Sequence, residues 1–207
     1  MAVRISATVV SMLAAAMTFA CGPVGQVGTP APSAFFAALD RELAKHEAVP
    51  WSASRRLTWD DFRGVPPASD PERAAETAYS LFHALDCRGK TFEFRVVAAV
   101  LPRQSWVRPA ILSNSVQNSR TLRHEQTHFD LSEVYARRMR RYFAELRDPC
   151  AKTEPELEAQ SDKLIRDEAA AQRRYDEETS HGRLAPRQAN WDADVARQIA
   201  SLDRYIK

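Results

Sequence analysis

Two histidines and a glutamate occur close together in the sequence, in the order His124-Glu125-x-x-His128. In an α-helix, residues four positions apart lie on the same face, so the two imidazoles can bind one metal ion. The carboxylate of Glu125 can then contact a water molecule on that metal and act as a general base. Zinc hydrolases use this arrangement. Because so short a pattern also occurs by chance, its meaning depends on the elements around it and on further ligands.

The motif lies in a segment that is predicted to form one long helix. Residues 114–119 offer several N-cap side chains, and Asp148 followed by Pro149 predicts its end. Large side chains recur every three or four positions and continue the stripe of the two histidines: Leu131, Tyr135, Met139, Tyr142 and Leu146. The arginines on the other side are expected to form a solvated basic face: Arg137, Arg138, Arg140 and Arg141.

A catalytic zinc site has three protein ligands and one open position, so a third ligand must come from another segment. A second long helix, predicted from the capping box at residues 153–156, contains Glu168 and Asp176. Glu168 lies on the inward stripe of this helix, where it could bind the metal or support a metal-binding histidine. His181 lies where the helix is expected to end, beside Gly182. The sequence pattern leaves Glu168, Asp176 and His181 open as candidates.

Alternating apolar residues before the motif predict an antiparallel hairpin, with a turn at residues 88–90 between strands at about 79–87 and 92–101. The segment 96–101 could serve as an edge that pairs with an extended peptide. His83 is expected to be an ordinary strand residue, because no other ligand type stands at metal-binding spacing beside it. A further amphipathic helix, which contains Trp191, is predicted after Pro186.

The first twenty residues predict export of the chain. Arg4 precedes an apolar run over residues 5–19, and the small residue Ala20 follows, which is the layout of a signal peptide. Cleavage after Ala20 would make Cys21 the first mature residue, so Cys21 could be lipidated and tether the protein to a membrane. The Gly- and Pro-rich residues 21–33 predict a flexible tether. The protein is therefore expected to be periplasmic or secreted, or a membrane-anchored lipoprotein.

Composition favours one globular domain over residues 34–207, since the 207-residue chain is 44% hydrophobic and 27% charged. Its formal net charge is +2, from 29 basic and 27 acidic residues, and gives no reason to expect a nucleic-acid partner. In an oxidising compartment, the distant Cys87 and Cys150 are expected to form a disulfide, because they lack the close spacing of a zinc ribbon.

Several blocks resemble the bacterial family of the domain of unknown function 922, whose members are described as predicted secreted zinc-dependent proteases. The resemblance rests on LTWDDFRGVPP at 57–67, QSWV at 104–107, HEQTHFDL at 124–131 and YDEETSHG at 175–182, followed by Gln188 and Trp191. It implies that His181 is favoured as the third ligand over Glu168 and Asp176. Tyr175, in the same block, becomes a candidate donor to an oxyanion, although the helical stripe also predicts a core aromatic there.

Together these features predict an α+β fold, in which a small antiparallel sheet packs against long helices, with a zincin-like motif helix. The expected function is an exported zinc metallopeptidase with Zn²⁺ on His124, His128 and His181 and with Glu125 as general base. A peptide or protein substrate and a monomeric state are expected. The alternatives are a non-catalytic envelope protein with a structural metal site and a zinc amidase that acts on cell-wall material.

Overall fold

The computed structural model describes residues 3–7 and 33–206. These residues form an α+β fold with a small antiparallel sheet and several helices. The strands are β1 (Val3–Ala7), β2 (Val49–Pro50), β3 (Ala75–Glu76), β4 (Tyr79–Arg88), β5 (Thr91–Val100) and β6 (Trp106–Val107). The α-helices are α1 (Ser33–Lys45), α2 (Pro109–Leu112), α3 (Ser115–Glu145), α4 (Glu154–Thr179) and α5 (Ala185–Ser201). Single 3-10 turns occur at Trp59–Asp61, Pro149–Ala151 and Asp203–Tyr205.

The main sheet has the strand order β1-β4-β5-β2, and each neighbouring pair is antiparallel. Strands β4 and β5 form the predicted hairpin, which is paired from Tyr79 opposite Val100 to Arg88 opposite Thr91. Gly89 has a φ of 62° in the connecting turn, a conformation that glycine adopts without steric cost. A second, two-stranded sheet joins β3 to β6. The hairpin is thus the centre of the main sheet.

The main sheet separates two layers of helices. Helix α1 covers one face, where Leu39 packs with Phe82 and Ala99. Helix α3 covers the other face, where Met139 packs in a larger core with Leu81. Helices α4 and α5 pack against α3 and complete this larger core. The two faces of one strand pair therefore support different helices, as expected from the alternation of side chains along a strand.

The local sequence sets both ends of α3 as predicted. Asn114 caps the N-terminus, since its side-chain oxygen accepts a hydrogen bond of 3.0 Å from the backbone N–H of Gln117. The chain becomes extended at Leu146, and Asp148 adopts a left-handed conformation with a φ of 46° before Pro149. Between these ends the helix carries both histidines of the motif on its buried side.

The prediction of a fully solvated basic face on α3 is wrong for two of its four arginines. Arg137 and Arg140 are buried, and both donate hydrogen bonds to the buried carboxylate of Glu133. Arg140 also donates to the carbonyl oxygen of Val96 in β5 and to that of Tyr205 near the end of the chain. These arginines tie the helix to the sheet and to the C-terminal segment, because each guanidinium presents several donors to separate acceptors.

The predicted peptide-binding edge at residues 96–101 is also largely covered. Strand β2 pairs with Ala99 and Val100, and the backbone N–H of Trp51 donates to the carbonyl oxygen of Ala98 at 2.9 Å. The other edge of the same residues pairs with β4. An extended substrate therefore cannot add to this part of β5 while β2 is in place.

Two further predictions about the fold, for the cysteines and for His83, can be compared with the structure. Cys87 and Cys150 form the expected disulfide, which joins the end of β4 to the segment before α4. His83 is buried in β4, and its Nε2 lies 3.0 Å from a carboxylate oxygen of Glu158. The loop that contains Leu57 packs against α3 in a small core of its own.

The predictions for the N-terminus stay predictions. Apart from Val3–Ala7, which pair with β4, the expected signal peptide at 1–20 lies outside the described residues. Cys21 and the expected tether as far as residue 32 also lie outside them. Within the part of the chain that the structure describes, none of the helices is long and apolar enough to cross a membrane.

Candidate metal centre

Three potential metal ligands converge between α3 and α4. The Nε2 atoms of His124 and His128 lie 3.2 Å apart, and each lies 3.0 Å from Oδ1 of Asp176. Both histidines are buried, whereas the Asp176 side chain is partly exposed. The helical spacing of four residues puts the two imidazoles side by side, and Asp176 approaches them from the last turn of α4.

The spacing of these three atoms fits a tetrahedral metal site. Zinc binds imidazole nitrogen and carboxylate oxygen at roughly 2.0–2.2 Å, so the corners of a zinc tetrahedron lie roughly 3.3–3.6 Å apart. The observed separations are slightly shorter than this range. Two imidazoles and one carboxylate leave a fourth corner of the tetrahedron for another ligand. The donor set therefore suits a metal ion that binds nitrogen and oxygen.

The electrostatics of the cluster favour a positive charge between the histidines and the carboxylate. Burial lowers the pKa of His128, but the hydrogen bond and the charge of Asp176 outweigh burial and raise this pKa to about 9. Burial raises the pKa of Asp176, yet the hydrogen bonds from the two histidines hold this pKa well below its usual range. Without a metal ion, a proton on His128 supplies the positive charge that a metal cation would supply.

Glu125 lies on the neighbouring side of α3 and is held there by Thr77. The backbone N–H and the hydroxyl of Thr77 both donate to Oε2 of Glu125, at 2.8 and 2.7 Å. Glu125 is buried, and its charge contributes to the raised pKa of His128. Because Thr77 engages only Oε2, the other carboxylate oxygen is the one that can accept a proton from a reacting water.

His181 lies at the outer side of the cluster. Its Nδ1 is 3.3 Å from Oδ1 of Asp176, and its side chain is 54% exposed. The backbone of His181 and of its two neighbours is left-handed. The φ angles are 50° at Ser180, 52° at His181 and 74° at Gly182. Such angles are unfavourable for residues with a Cβ and often occur at functional sites. The structure thus brings His181 to the carboxylate of Asp176, while Asp176 itself contacts both histidines of the motif.

Gly182 shapes the wall behind His124. A Cβ atom at position 182 would lie 2.9 Å from Cβ of His124 and 3.0 Å from its Cγ, closer than side-chain atoms can approach. The end of α4 can therefore turn against the first histidine only because residue 182 is a glycine with a φ of 74°. Gly182, which the sequence suggests as a C-cap, therefore also lets the end of α4 pack against His124.

Glu168 is inward, as its periodicity predicts, but it does not belong to the three-residue cluster. Burial raises its pKa to about 8, although the polar side chains of Ser132 and Gln172 nearby oppose this rise. The carboxyl group is therefore neutral in the folded protein over a pH range in which it is ionised in the unfolded chain.

Glu168→Gln is expected to remove a pH-dependent loss of stability. Because the pKa of Glu168 in the folded protein is raised above its ordinary value of about 4.5, the unfolded chain loses its proton first, and stability falls as the pH rises from about 4.5 to about 8. The loss is up to about 1.4 kcal/mol per pH unit in this window. Urea unfolding of the metal-free parent and variant at pH 5 and pH 8 measures it. The free energy of unfolding of the variant, relative to that of the parent, should be higher at pH 8 than at pH 5. The same relative value at both pH values would contradict the raised pKa of Glu168.

Tyr175 is fully buried behind the two imidazoles. Its ring stacks on His124 at a centroid distance of 4.6 Å and meets the edge of His128 at 4.7 Å. Its hydroxyl lies 3.1 Å from the carbonyl oxygen of His124 and 2.9 Å from Oε1 of Gln188. This position fits the core aromatic indicated by the helical stripe better than the oxyanion donor, a role that stays a prediction.

Several residues around the cluster have no distinctive sequence signal. Thr77, which positions Glu125, precedes β4 as one polar residue among others. Tyr79 has a pKa raised well above its usual value, chiefly by burial and also by the charges of Glu168 and Asp176. Gln172 and Gln188 each face Nδ1 of one histidine. Among these residues, only Gln188 was indicated by the sequence, as one of the positions on which the family resemblance rests.

Fold and site together define an α+β protein with a two-histidine, one-aspartate group that could hold a metal ion. Residues 77–182 match the family described as "Bacterial protein of unknown function (DUF922)", so the chain belongs to this family. The match begins at Thr77 and ends at Gly182, and it includes all three clustered ligands. The block at 57–67 and the positions Gln188 and Trp191 lie outside the matched residues. Neither the curated proteins nor the solved structures yielded a match.

Proposed function

We propose that this protein is an exported zinc-dependent metallopeptidase with a zincin-like motif helix. The observation that carries the proposal is the convergence of His124, His128 and Asp176 within hydrogen-bonding distance of one another, with Glu125 next to them on α3. Peptide-bond hydrolysis by a metal needs three protein ligands, an open position and a general base, and these residues can supply each of them. Export is proposed from the N-terminal sequence alone.

The roles follow from the position of each group. His124, His128 and Asp176 would hold the zinc ion, which when bound polarises water and substrate carbonyl and lowers the pKa of water to about 7. Glu125 takes a proton from the attacking water as the oxygen bonds to the carbonyl carbon of the peptide. Glu125 then gives this proton to the amine as the carbon–nitrogen bond breaks. Water is thereby divided between the new carboxyl and amino ends.

Thr77 keeps Glu125 in place for this proton transfer, so Thr77→Val is expected to lower kcat about 10-fold with little change in KM. The variant retains the backbone N–H but removes the hydroxyl donor at 2.7 Å. A hydrogen bond to a charged group contributes roughly 1.5–3 kcal/mol, which is sufficient for this effect. Steady-state kinetics of parent, Thr77→Val and Thr77→Ser measures it. The serine variant should recover most of the rate; a valine variant as fast as the parent would show that the hydroxyl has no part in positioning Glu125.

A second candidate is a non-catalytic envelope protein with a structural metal. The nearness of His181 to Asp176 favours this alternative, because a fourth protein group would close the coordination sphere. A structural site with four protein ligands would leave no position for water. The two candidates therefore differ in the identity of the fourth ligand and in whether hydrolysis occurs.

Hydrolysis of an unfolded protein substrate tests the proposal. Purified protein should cleave casein, lose this activity when a chelator removes the metal, and regain it when zinc is restored. Peptidoglycan fragments serve as a second substrate, because a cell-wall amidase has the same metal chemistry. Cleavage of peptidoglycan without cleavage of casein would replace the peptidase with an amidase. Zinc binding without hydrolysis of either substrate would favour the structural site.

A further inference from the structure

Each of the two imidazoles in the candidate metal centre contacts the side chain of a buried glutamine through its Nδ1 atom. Nδ1 of His128 lies 2.7 Å from Oε1 of Gln172 in α4, and Nδ1 of His124 lies 3.1 Å from Oε1 of Gln188 in α5. Gln172 is 4% exposed and Gln188 is 2% exposed. Two separate helices thus supply the same kind of partner to the two histidines of α3.

The orientation of the Gln172 amide is fixed by its other hydrogen bond. Its Nε2 donates to the backbone carbonyl oxygen of His128 at 3.0 Å. If the amide were rotated by half a turn, its oxygen would face that carbonyl oxygen, and two acceptors would meet. Oε1 must therefore face Nδ1 of His128, and because an amide oxygen only accepts, Nδ1 carries the proton.

The Gln188 amide is oriented by the same logic from a different partner. Its Nε2 lies 2.6 Å from a carboxylate oxygen of Asp192 and 2.6 Å from the hydroxyl of Tyr175. A carboxylate can only accept, so the nitrogen end of the amide must face Asp192. Oε1 is then directed at Nδ1 of His124, which carries the proton. With Nδ1 protonated in both histidines, Nε2, the atom that faces Asp176, is the nitrogen that can offer a lone pair once a metal ion takes the place of its proton.

We propose that Gln172 and Gln188 are positioning residues that fix the proton of each metal-binding histidine on Nδ1 and direct the Nε2 lone pair at the metal. This inference rests on the metal centre of the proposed function. The ring orientation is already set by packing and hydrogen bonds before a metal binds. An amide is neutral, so it holds each imidazole without the added basicity that a carboxylate partner gives. Metal affinity and ligand geometry then depend on both amides.

Zinc affinity of matched variants tests the proposal. Gln172→Met and Gln188→Met remove one acceptor each while keeping a side chain of similar length, and each should weaken zinc binding about 10–100-fold in competition with a chelator. Gln126→Met is the control. Gln126 is an equally buried glutamine of α3, and its amide contacts the backbone N–H of Leu57 and the carboxylate of Asp130. The control should keep the zinc affinity of the parent.

A spectroscopic measurement on the parent protein tests the same point, and the methionine variants serve as its comparison. In zinc-loaded protein with ¹⁵N-labelled histidine, both motif histidines should show a proton on Nδ1 and the metal on Nε2. In each methionine variant, one of these two N–H protons should exchange faster with solvent, because the glutamine oxygen that accepts its hydrogen bond is gone.

The possible outcomes separate this proposal from the proposed function. Metal on Nδ1 of either histidine, or parent zinc affinity in both Gln172→Met and Gln188→Met, would overturn the positioning role and leave the metal centre intact. An equal loss of affinity in Gln126→Met would also overturn it, since the effect would then come from the loss of any buried amide. A parent protein that binds no zinc would overturn the metal centre and this inference with it.

Discussion

Glu125→Gln is expected to retain zinc at the parent level and to lower kcat for peptide hydrolysis about 10²–10⁴-fold. The side chain keeps its size, and its remaining oxygen can still accept the hydrogen bonds from Thr77. The amide cannot take a proton from water at neutral pH, so the general-base contribution is lost while the ligands stay in place. Metal analysis and kinetics on the same preparation of each protein measure the two effects.

Glu177→Gln is a suitable control for this experiment. Glu177 is exposed on α4, next to Asp176, so the substitution changes the charge near the site without touching the cluster. It should keep both zinc and activity. If Glu125→Gln cleaved peptides as fast as the parent, Glu125 would not be the base. If it lost zinc, Glu125 would be needed to hold the site together.

Asp176→Asn is expected to weaken zinc binding more than about 100-fold, beyond the effect typical of an outer hydrogen-bond partner. Asp176 Oδ1 is the atom that lies 3.0 Å from both Nε2 atoms, and the substitution removes its charge while keeping its shape. His181→Ala and Glu168→Gln are expected to bind zinc close to the parent level. The reason is that His181 contacts only Asp176 among the clustered ligands, and Glu168 lies outside the cluster.

Zinc titrations of these three variants distinguish the possible third ligands. Loss of zinc in His181→Ala, with binding preserved in Asp176→Asn, would restore the choice favoured by the family resemblance. Loss in Glu168→Gln alone would point to a rearranged α4. Equal weakening in Asp176→Asn and His181→Ala would indicate that both groups bind the metal, as in a closed structural site.

The motif helix could be predicted well because its signals are local. Asn114 caps it, Pro149 follows its end, and the spacing of His124 and His128 places them on one face. The β4–β5 hairpin is predictable for the same reason, since strict alternation and the turn at Gly89 are properties of adjacent residues.

The third ligand could not be chosen from the sequence. Asp176 and His181 are five residues apart, on either side of the end of α4. Which of them reaches the two histidines depends on how α4 packs across α3 and on the left-handed turn at Ser180–Gly182. These are tertiary features, and neither the helical period nor a capping signal determines them.

The burial of Arg137 and Arg140 was not predictable for a related reason. Charged runs on a helix are usually solvated, so the local pattern favours exposure. Their partners include Glu133 on the same helix, but also carbonyl oxygens of Val96 and Ile199 far away in the sequence. Only the folded chain brings enough acceptors together to satisfy two buried guanidinium groups.

X-ray absorption at the zinc K edge of the zinc-loaded protein tests the central claim most directly. The arrangement of His124, His128 and Asp176 predicts two imidazole ligands, with oxygen at the remaining positions of a four-coordinate site. Oxygen in the fourth position would come from water, as catalysis requires. A first shell with three imidazoles would place His181 on the metal and contradict the assignment of Asp176 as the third ligand with an open fourth position.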